Sequence, residues 1–163
     1  MNSRLAVFLC LTALTCRIIS AGYQWEKICP ESPRAFSNAI AFEEHSSSVI
    51  FFGGGDNLKR NETWRWTGSE WIHLEPENSP PILTHTTIAY DSLRQEIILF
   101  GGGSVDYENG HWFLSDQTWR WDGTNWEQLF PETHPGAREK HAMAYDVYRD
   151  RIVLFGGYGS HRE

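Results

Sequence analysis

The sequence predicts an all-β fold made of repeated four-stranded antiparallel units, and three observations carry that expectation. The phrase Glu62-Thr63-Trp64-Arg65-Trp66-Thr67-Gly68-Ser69-Glu70-Trp71 returns as Gln117-Thr118-Trp119-Arg120-Trp121-Asp122-Gly123-Thr124-Asn125-Trp126. Apolar runs ending in paired glycines also recur, at Val49-Ile50-Phe51-Phe52-Gly53-Gly54, Ile97-Ile98-Leu99-Phe100-Gly101-Gly102 and Ile152-Val153-Leu154-Phe155-Gly156-Gly157. The spacing between these features is rigid: Trp64 to Phe100 and Trp119 to Phe155 are each 36 positions. Self-similarity at about 50 residues marks a repeat architecture. Constant spacing reads as paired strands that cannot slip, whereas the change from 12 positions (Phe52 to Trp64) to 19 (Phe100 to Trp119) reads as a loop.

Taken along the chain, residues 1–22 match no repeat strand and stand apart. Residues 23–29, with Trp25-Glu26-Lys27-Ile28, match only the fourth strand of a unit. Residues 38–74 hold a full unit: Ala39-Ile40-Ala41-Phe42, the glycine-terminated run, Thr63-Trp64-Arg65-Trp66, and Trp71-Ile72-His73-Leu74. Alternation in the third strand places both tryptophans on one face and the arginine on the other. Residues 86–129 repeat this order, with Asp122-Gly123 supplying the positive-φ position that a tight hairpin between strands three and four requires. Residues 141–157 supply strands one and two again. The six tryptophans Trp64, Trp66, Trp71, Trp119, Trp121 and Trp126 recur at equal offsets. They are therefore expected to be packing residues in matching environments.

A four-stranded unit with Gly-Gly closing its second strand and a tryptophan in its fourth resembles the kelch repeat, the blade of a β-propeller. The glycine pairs carry over to Gly53-Gly54, Gly101-Gly102 and Gly156-Gly157, and the later tryptophan to Trp71 and Trp126. Trp66 and Trp121 stand where the family often has tyrosine, which leaves the subfamily open. The resemblance covers residues 23–159 and implies kelch-type β-propeller blades of four antiparallel strands in an incomplete ring. Two full blades and parts of others leave open edges. That implies either a fragment of a longer propeller or self-association in which one chain's Trp25 strand completes another chain's last blade.

Composition narrows the partners. The formal net charge is −7, and residues 1–22 hold Arg4 and Arg17 with no acid, so the remainder is more acidic still. Such a balance argues against nucleic acid or an anionic membrane surface as a partner, and no segment after residue 22 has the length of apolar sequence needed to span a bilayer. Residues 1–22 read as a signal peptide: Arg4 opens it, Leu5 to Cys16 is apolar, and Ser20-Ala21-Gly22 offers small residues for cleavage. The expected location is therefore secreted or periplasmic. Cleavage would leave Cys29 as the one cysteine, so no internal disulfide is expected. Asn61-Glu62-Thr63 is the sole sequon for N-linked glycosylation at Asn61.

Catalytic patterns are absent from the sequence. There is no Gly-x-Ser-x-Gly or His-Glu-x-x-His, and the glycine runs lack the Lys-Ser/Thr and the helix that phosphate loops need. The expectation is no catalytic residue, no cofactor and no metal site. His141 has Thr86 and Asn38 at equivalent positions and reads as a polar packing residue. One segment rises above scaffold, the expansion between Phe100 and Trp119 with Tyr107, His111, Trp112 and Phe113, which lies on the face shared by the longer loops. These residues are the candidate site, either tucked onto their own blade or presented to a protein or glycan ligand. The expected function is a non-catalytic binding module. The alternative is part of a propeller enzyme, an oxidase or sugar-processing enzyme, with its catalytic residues in blades outside this chain.

Overall fold

The computed structural model describes residues 13–19, 22–28, 33, 36–54, 61–105 and 108–159. Within them the fold is all strand and turn, without a helix. In chain order, β1 (Ala13–Ile19) and β2 (Gly22–Ile28) form an antiparallel hairpin. Next come β3 (Ala39–Glu43), β4 (Ser48–Phe52), β5 (Thr63–Trp66) and β6 (Trp71–Leu74), paired in that order as the first blade. The second blade contains β7 (Thr87–Asp91), β8 (Glu96–Phe100), β11 (Thr118–Trp121) and β12 (Trp126–Leu129). A small hairpin, β9 (Gly103–Val105) and β10 (Trp112–Leu114), is inserted between its second and third strands. A last antiparallel pair, β13 (Arg138–Asp146) and β14 (Arg151–Gly159), holds strands one and two of a third unit.

Two features extend the sequence reading. The strand at Trp25, which the repeat pattern left alone, is paired along its length with Ala13–Ile19. The repeat could not show this, because that partner resembles no repeat strand. The loop expansion after Phe100 is a short β-ladder with Trp112 opposite Val105 and Leu114 opposite Gly103, so its length is structured.

The blades meet through their first strands, with β7 lying between β3 and β13. Because side chains alternate across a strand, each blade has two faces, here called front and rear. The rear of the first blade buries Ala39, Ile50 and Phe52, and the front of the second buries Ile88, Ile97, Leu99, Trp121 and Trp126 against them. Trp126 is the centre of this joint. Its ring meets Phe52 edge-on at 5.2 Å, stacks at a tilt on Trp121 at 5.4 Å, and its indole N–H donates to Thr63 Oγ1 at 2.9 Å in the buried interior. Polar ties flank it: Arg65 Nη2 donates to the Gly123 carbonyl at 2.9 Å, and the Asn78 amide donates to Asn125 Oδ1 at 2.8 Å. The joint between the second blade and the third unit uses charge. Arg94 binds Asp91 of its own turn at 2.7 Å and Asp150 of the next unit at 2.5 and 2.8 Å. Arg94 and the Tyr145 hydroxyl together hold the Asp150 carboxyl down to about 2.

The tryptophans do pack, and one pair matches: Trp64 and Trp119 are both half-buried, and each indole N–H donates to the side chain two residues earlier at 3.0 Å. The other two pairs differ. Trp121 and Trp126 are fully buried, whereas their counterparts Trp66 and Trp71 are half-buried. Trp71 still packs on Phe51 at 6.0 Å and on Trp66 at 5.6 Å within its own sheet. Among the described residues, no rear face packs ahead of it as the first blade does on Trp126. Equal spacing in sequence fixes the position within a blade, and the neighbouring blade fixes the burial.

Truncating Trp126 to alanine should therefore destabilise the fold by about 3–5 kcal/mol. Thr63→Val leaves a buried indole N–H without a partner and should cost about 1–3 kcal/mol. Trp71→Ala should cost less than Trp126→Ala. Urea unfolding of the three variants checks the order, and equal losses at Trp71 and Trp126 would contradict the joint described here.

Candidate interaction face

Strands one and three run from one end of each blade and strands two and four return to it, so loops 2–3 and 4–1 share a face. The inserted hairpin of the second blade stands on that face. It is anchored rather than free: Thr84 and Gly103 exchange backbone hydrogen bonds at 2.9 and 2.8 Å, and the Gly102 amide donates to the Arg138 carbonyl at 2.8 Å. Gly103 lets the hairpin close on itself: a Cβ there would meet the Trp112 ring and lie 2.7 Å from Glu139 Oε2, so a larger residue would have to displace those side chains.

Of the residues the sequence singled out, Trp112 and Phe113 are consecutive in β10, His111 directly precedes it, and Tyr107 falls outside the described residues. Trp112 and Phe113 are 48% and 47% exposed. The edge of the Trp112 ring covers Gly103 and the rest of it faces outward. Asn61 is exposed on the adjoining loop, where its Nδ2 donates to the Pro80 carbonyl at 3.1 Å.

Beside the hairpin is a group of residues that sequence reasoning did not select. Ser37, His85 and Lys140 occupy the same repeat position ahead of strand one, and all three adopt positive φ, at 56°, 56° and 59°. Non-glycine residues hold such a conformation only where surrounding bonds enforce it. The bonds are visible: the His85 amide donates to the Ser37 carbonyl at 3.0 Å, and the Lys140 amide donates to the His85 carbonyl at 3.0 Å. A backbone belt thus links the three units around their shared inner edge. Above it the His85 ring lies 2.9 Å from Ser37 Oγ and 3.3 Å from Glu139 Oε2, with Lys140 Nζ 3.4 Å from Glu139 Oε1. Glu139 is a buried carboxylate between two basic groups, close to the Trp112 ring. The residues are far apart in sequence, and only the positional match of Ser37, His85 and Lys140 within the repeat hinted at their meeting.

His141, next along β13, is buried with its ring edge-on to Phe100 at 5.6 Å and packed under Gly101. Burial, reinforced by the nearby Arg138 charge, pushes its pKa from 6.5 down to about 4. It therefore stays neutral at pH 7 as a packing residue. Clefts lie elsewhere: one of about 540 Å³ runs along β12 and residues 77–79 and includes none of the predicted site residues. Among the described residues, no three His, Cys, Asp or Glu side chains come together as a metal site would need.

The sign of the His141 effect is fixed by its lowered pKa. The unfolded chain takes up a proton near pH 6.5 and the folded chain only near pH 4, so this residue removes stability as pH falls through that window. His141→Thr, the residue found at Thr86, should flatten the loss of melting temperature between pH 6.5 and pH 4. An unchanged acid slope in the variant would show that other groups govern it.

No family model matches the chain. Kelch domain-containing protein 1 of Mus musculus is 30% identical over 149 residues, covering 80% of this chain and 35% of that protein. The chain thus spans about a third of the relative's length. With four-stranded antiparallel blades, a positive-φ glycine pair closing each apolar second-strand run and an aromatic joint between neighbours, the chain is a kelch-like partial propeller.

Proposed function

We propose that the chain is a non-catalytic protein-interaction module that engages its partner with the face carrying Trp112 and Phe113. The observation that supports this most is the β9–β10 hairpin. It is inserted into the second blade, it is fixed by backbone bonds to the inner edge of the propeller, and it presents two half-exposed aromatic side chains. Large aromatics on a rigid support contribute much contact area for little loss of side-chain freedom. The adjoining His85 and Lys140, both beside the buried Glu139, give the patch a polar rim. A fold of the kelch class supports a protein over a small molecule as the partner. The sequence pattern of residues 1–22 supports export, and an exported form would meet that partner outside the cell.

The test is capture of proteins from the chain's own cellular and secreted fractions on the immobilised domain. Each captured protein is then titrated against the Trp112→Ala/Phe113→Ala variant. Loss of two hot-spot aromatics should weaken binding about thirty-fold or more, equivalent to about 2 kcal/mol, while the melting temperature holds. Undiminished binding by the variant would remove this face from consideration. Retention on immobilised oligosaccharides with no protein bound would reassign the ligand to a glycan.

A further inference from the structure

We propose that Ser37, His85 and Glu139 form a nucleophilic triad in which Ser37 is a reactive serine that accepts an acyl group from a carboxylic ester. The inference goes beyond the docking role of the aromatic face. The chemistry consumes Ser37 once per chain and adds a covalent step to a module that does not turn over.

The repeat itself builds the arrangement. The position ahead of strand one is Ser37 in the first unit, His85 in the second and Lys140 in the third, and the backbone belt holds all three at positive φ. An enforced backbone conformation of this kind sets the direction in which each side chain leaves the chain. The position before it holds Phe36, Thr84 and Glu139. Phe36 is exposed, Thr84 is engaged with Gly103, and Glu139 is buried with its carboxylate against His85. Serine, histidine and glutamate thus meet because three neighbouring units carry different residues at matching places.

The distances suit the roles. Ser37 Oγ lies 2.9 Å from His85 Nε2, and His85 Nδ1 lies 3.3 Å from Glu139 Oε2. One ring nitrogen faces a hydroxyl and the other a carboxylate, the order of groups that recurs in serine-nucleophile sites on unrelated folds. His85 Nδ1 and Glu139 Oε2 are both buried, and neither meets a hydrogen-bond partner of good geometry elsewhere. Leaving both unpaired is costly, and a proton on Nδ1 satisfies the two together. In that tautomer Nε2 is an acceptor and the Ser37 hydroxyl is its donor. Lys140 Nζ takes the other carboxylate oxygen, Oε1, at 3.4 Å, which leaves Oε2 for the ring. Hydrogen bonds in such sites are often loose in the free protein and tighten when the reactant binds. Closing and aligning the 3.3 Å contact is the adjustment needed here. The side chain of His85 is 32% exposed and Ser37 is half-buried, so the pair is reachable from solvent.

The step balances within these residues. Ser37 Oγ attacks the ester carbonyl carbon and forms an Oγ–C bond while His85 Nε2 takes the hydroxyl proton. The Glu139 carboxylate stabilises the resulting imidazolium through Nδ1. The bond from the carbonyl carbon to the alcohol oxygen then breaks, Nε2 returns the proton to the departing alkoxide, and the acyl group stays on Ser37. Glu139 touches no reacting atom and is a positioning residue.

A biotinylated fluorophosphonate tests the nucleophile directly: Ser37 Oγ displaces fluoride and keeps the phosphonyl group, and its proton passes to His85 Nε2. Incubation with the full chain should give one label per molecule, and peptide mass mapping should place it on Ser37. Ser37→Ala should abolish the label. His85→Ala should slow labelling about a hundred-fold, and added imidazole should restore part of the rate. Glu139→Gln keeps the size of the side chain but can present an amide N–H to Nδ1, which moves the ring proton to Nε2. It should slow labelling at least about thirty-fold, whereas Glu139→Asp, which keeps a carboxylate, should retain more of the rate. A purely structural role would lower melting temperature in these variants without rescue by imidazole and without the contrast between Gln and Asp. No label on the folded chain, a label on another residue, or a rate that His85→Ala and Glu139→Gln leave unchanged would each overturn the proposal.

Discussion

The burial of one indole between two sheets is the constraint on which the remaining structure depends. Trp126 fills the space between the blades, and its N–H reaches Thr63 Oγ1 in a place that water does not enter. A buried polar hydrogen without a partner is costly, so the contact fixes the rotation of one blade against the other as well as their separation. That geometry brings β7 beside β3 and aligns the inner edges closely enough for backbone bonds to pass from Ser37 to His85 and on to Lys140.

The two sides of the propeller are built from different chemistry. On the side of the short turns, neighbouring units are tied by charge and by side chains that close their own turns, with Asp91 and Asp146 each bound to an arginine three residues on. Arg94 extends one of these turn contacts into a tie between units, through Asp150. The opposite side is tied mainly through the backbone, in the belt and in the Thr84–Gly103 ladder. Backbone ties leave side chains free to vary, which suits a face that carries recognition on a fixed support. It is on this side that Trp112 and Phe113 are presented and that Glu139 is buried between His85 and Lys140.

Burial within a repeat also reports what each unit has beside it. Trp71 and Trp126 occupy the same position and differ in burial because, among the described residues, one has a rear face ahead of it and the other does not. Phe52, Phe100 and Phe155 show the same contrast on the other side of the sheets. Burial at a repeat position is therefore decided by the neighbouring unit and not by the residue itself.

The sequence by itself determined the units: strand order, the glycine turns, the registers around Thr63–Trp66 and Thr118–Trp121, and the insertion between Phe100 and Trp119. These are local matters, set by alternation and by the positive φ that glycine tolerates, and equal spacing exposes them directly. The insertion's aromatics were legible too, because Trp112 falls outside every repeat position. Tertiary structure alone decided which copy of a repeated residue is buried. It also decided that Ala13–Ile19 pairs with Gly22–Ile28 and that Ser37, His85, Glu139 and Lys140 gather beside Trp112. The physical reason is that burial and long-range pairing depend on the neighbour across a joint. A repeat carries the same residues into every unit, whether or not a neighbour is there to meet them.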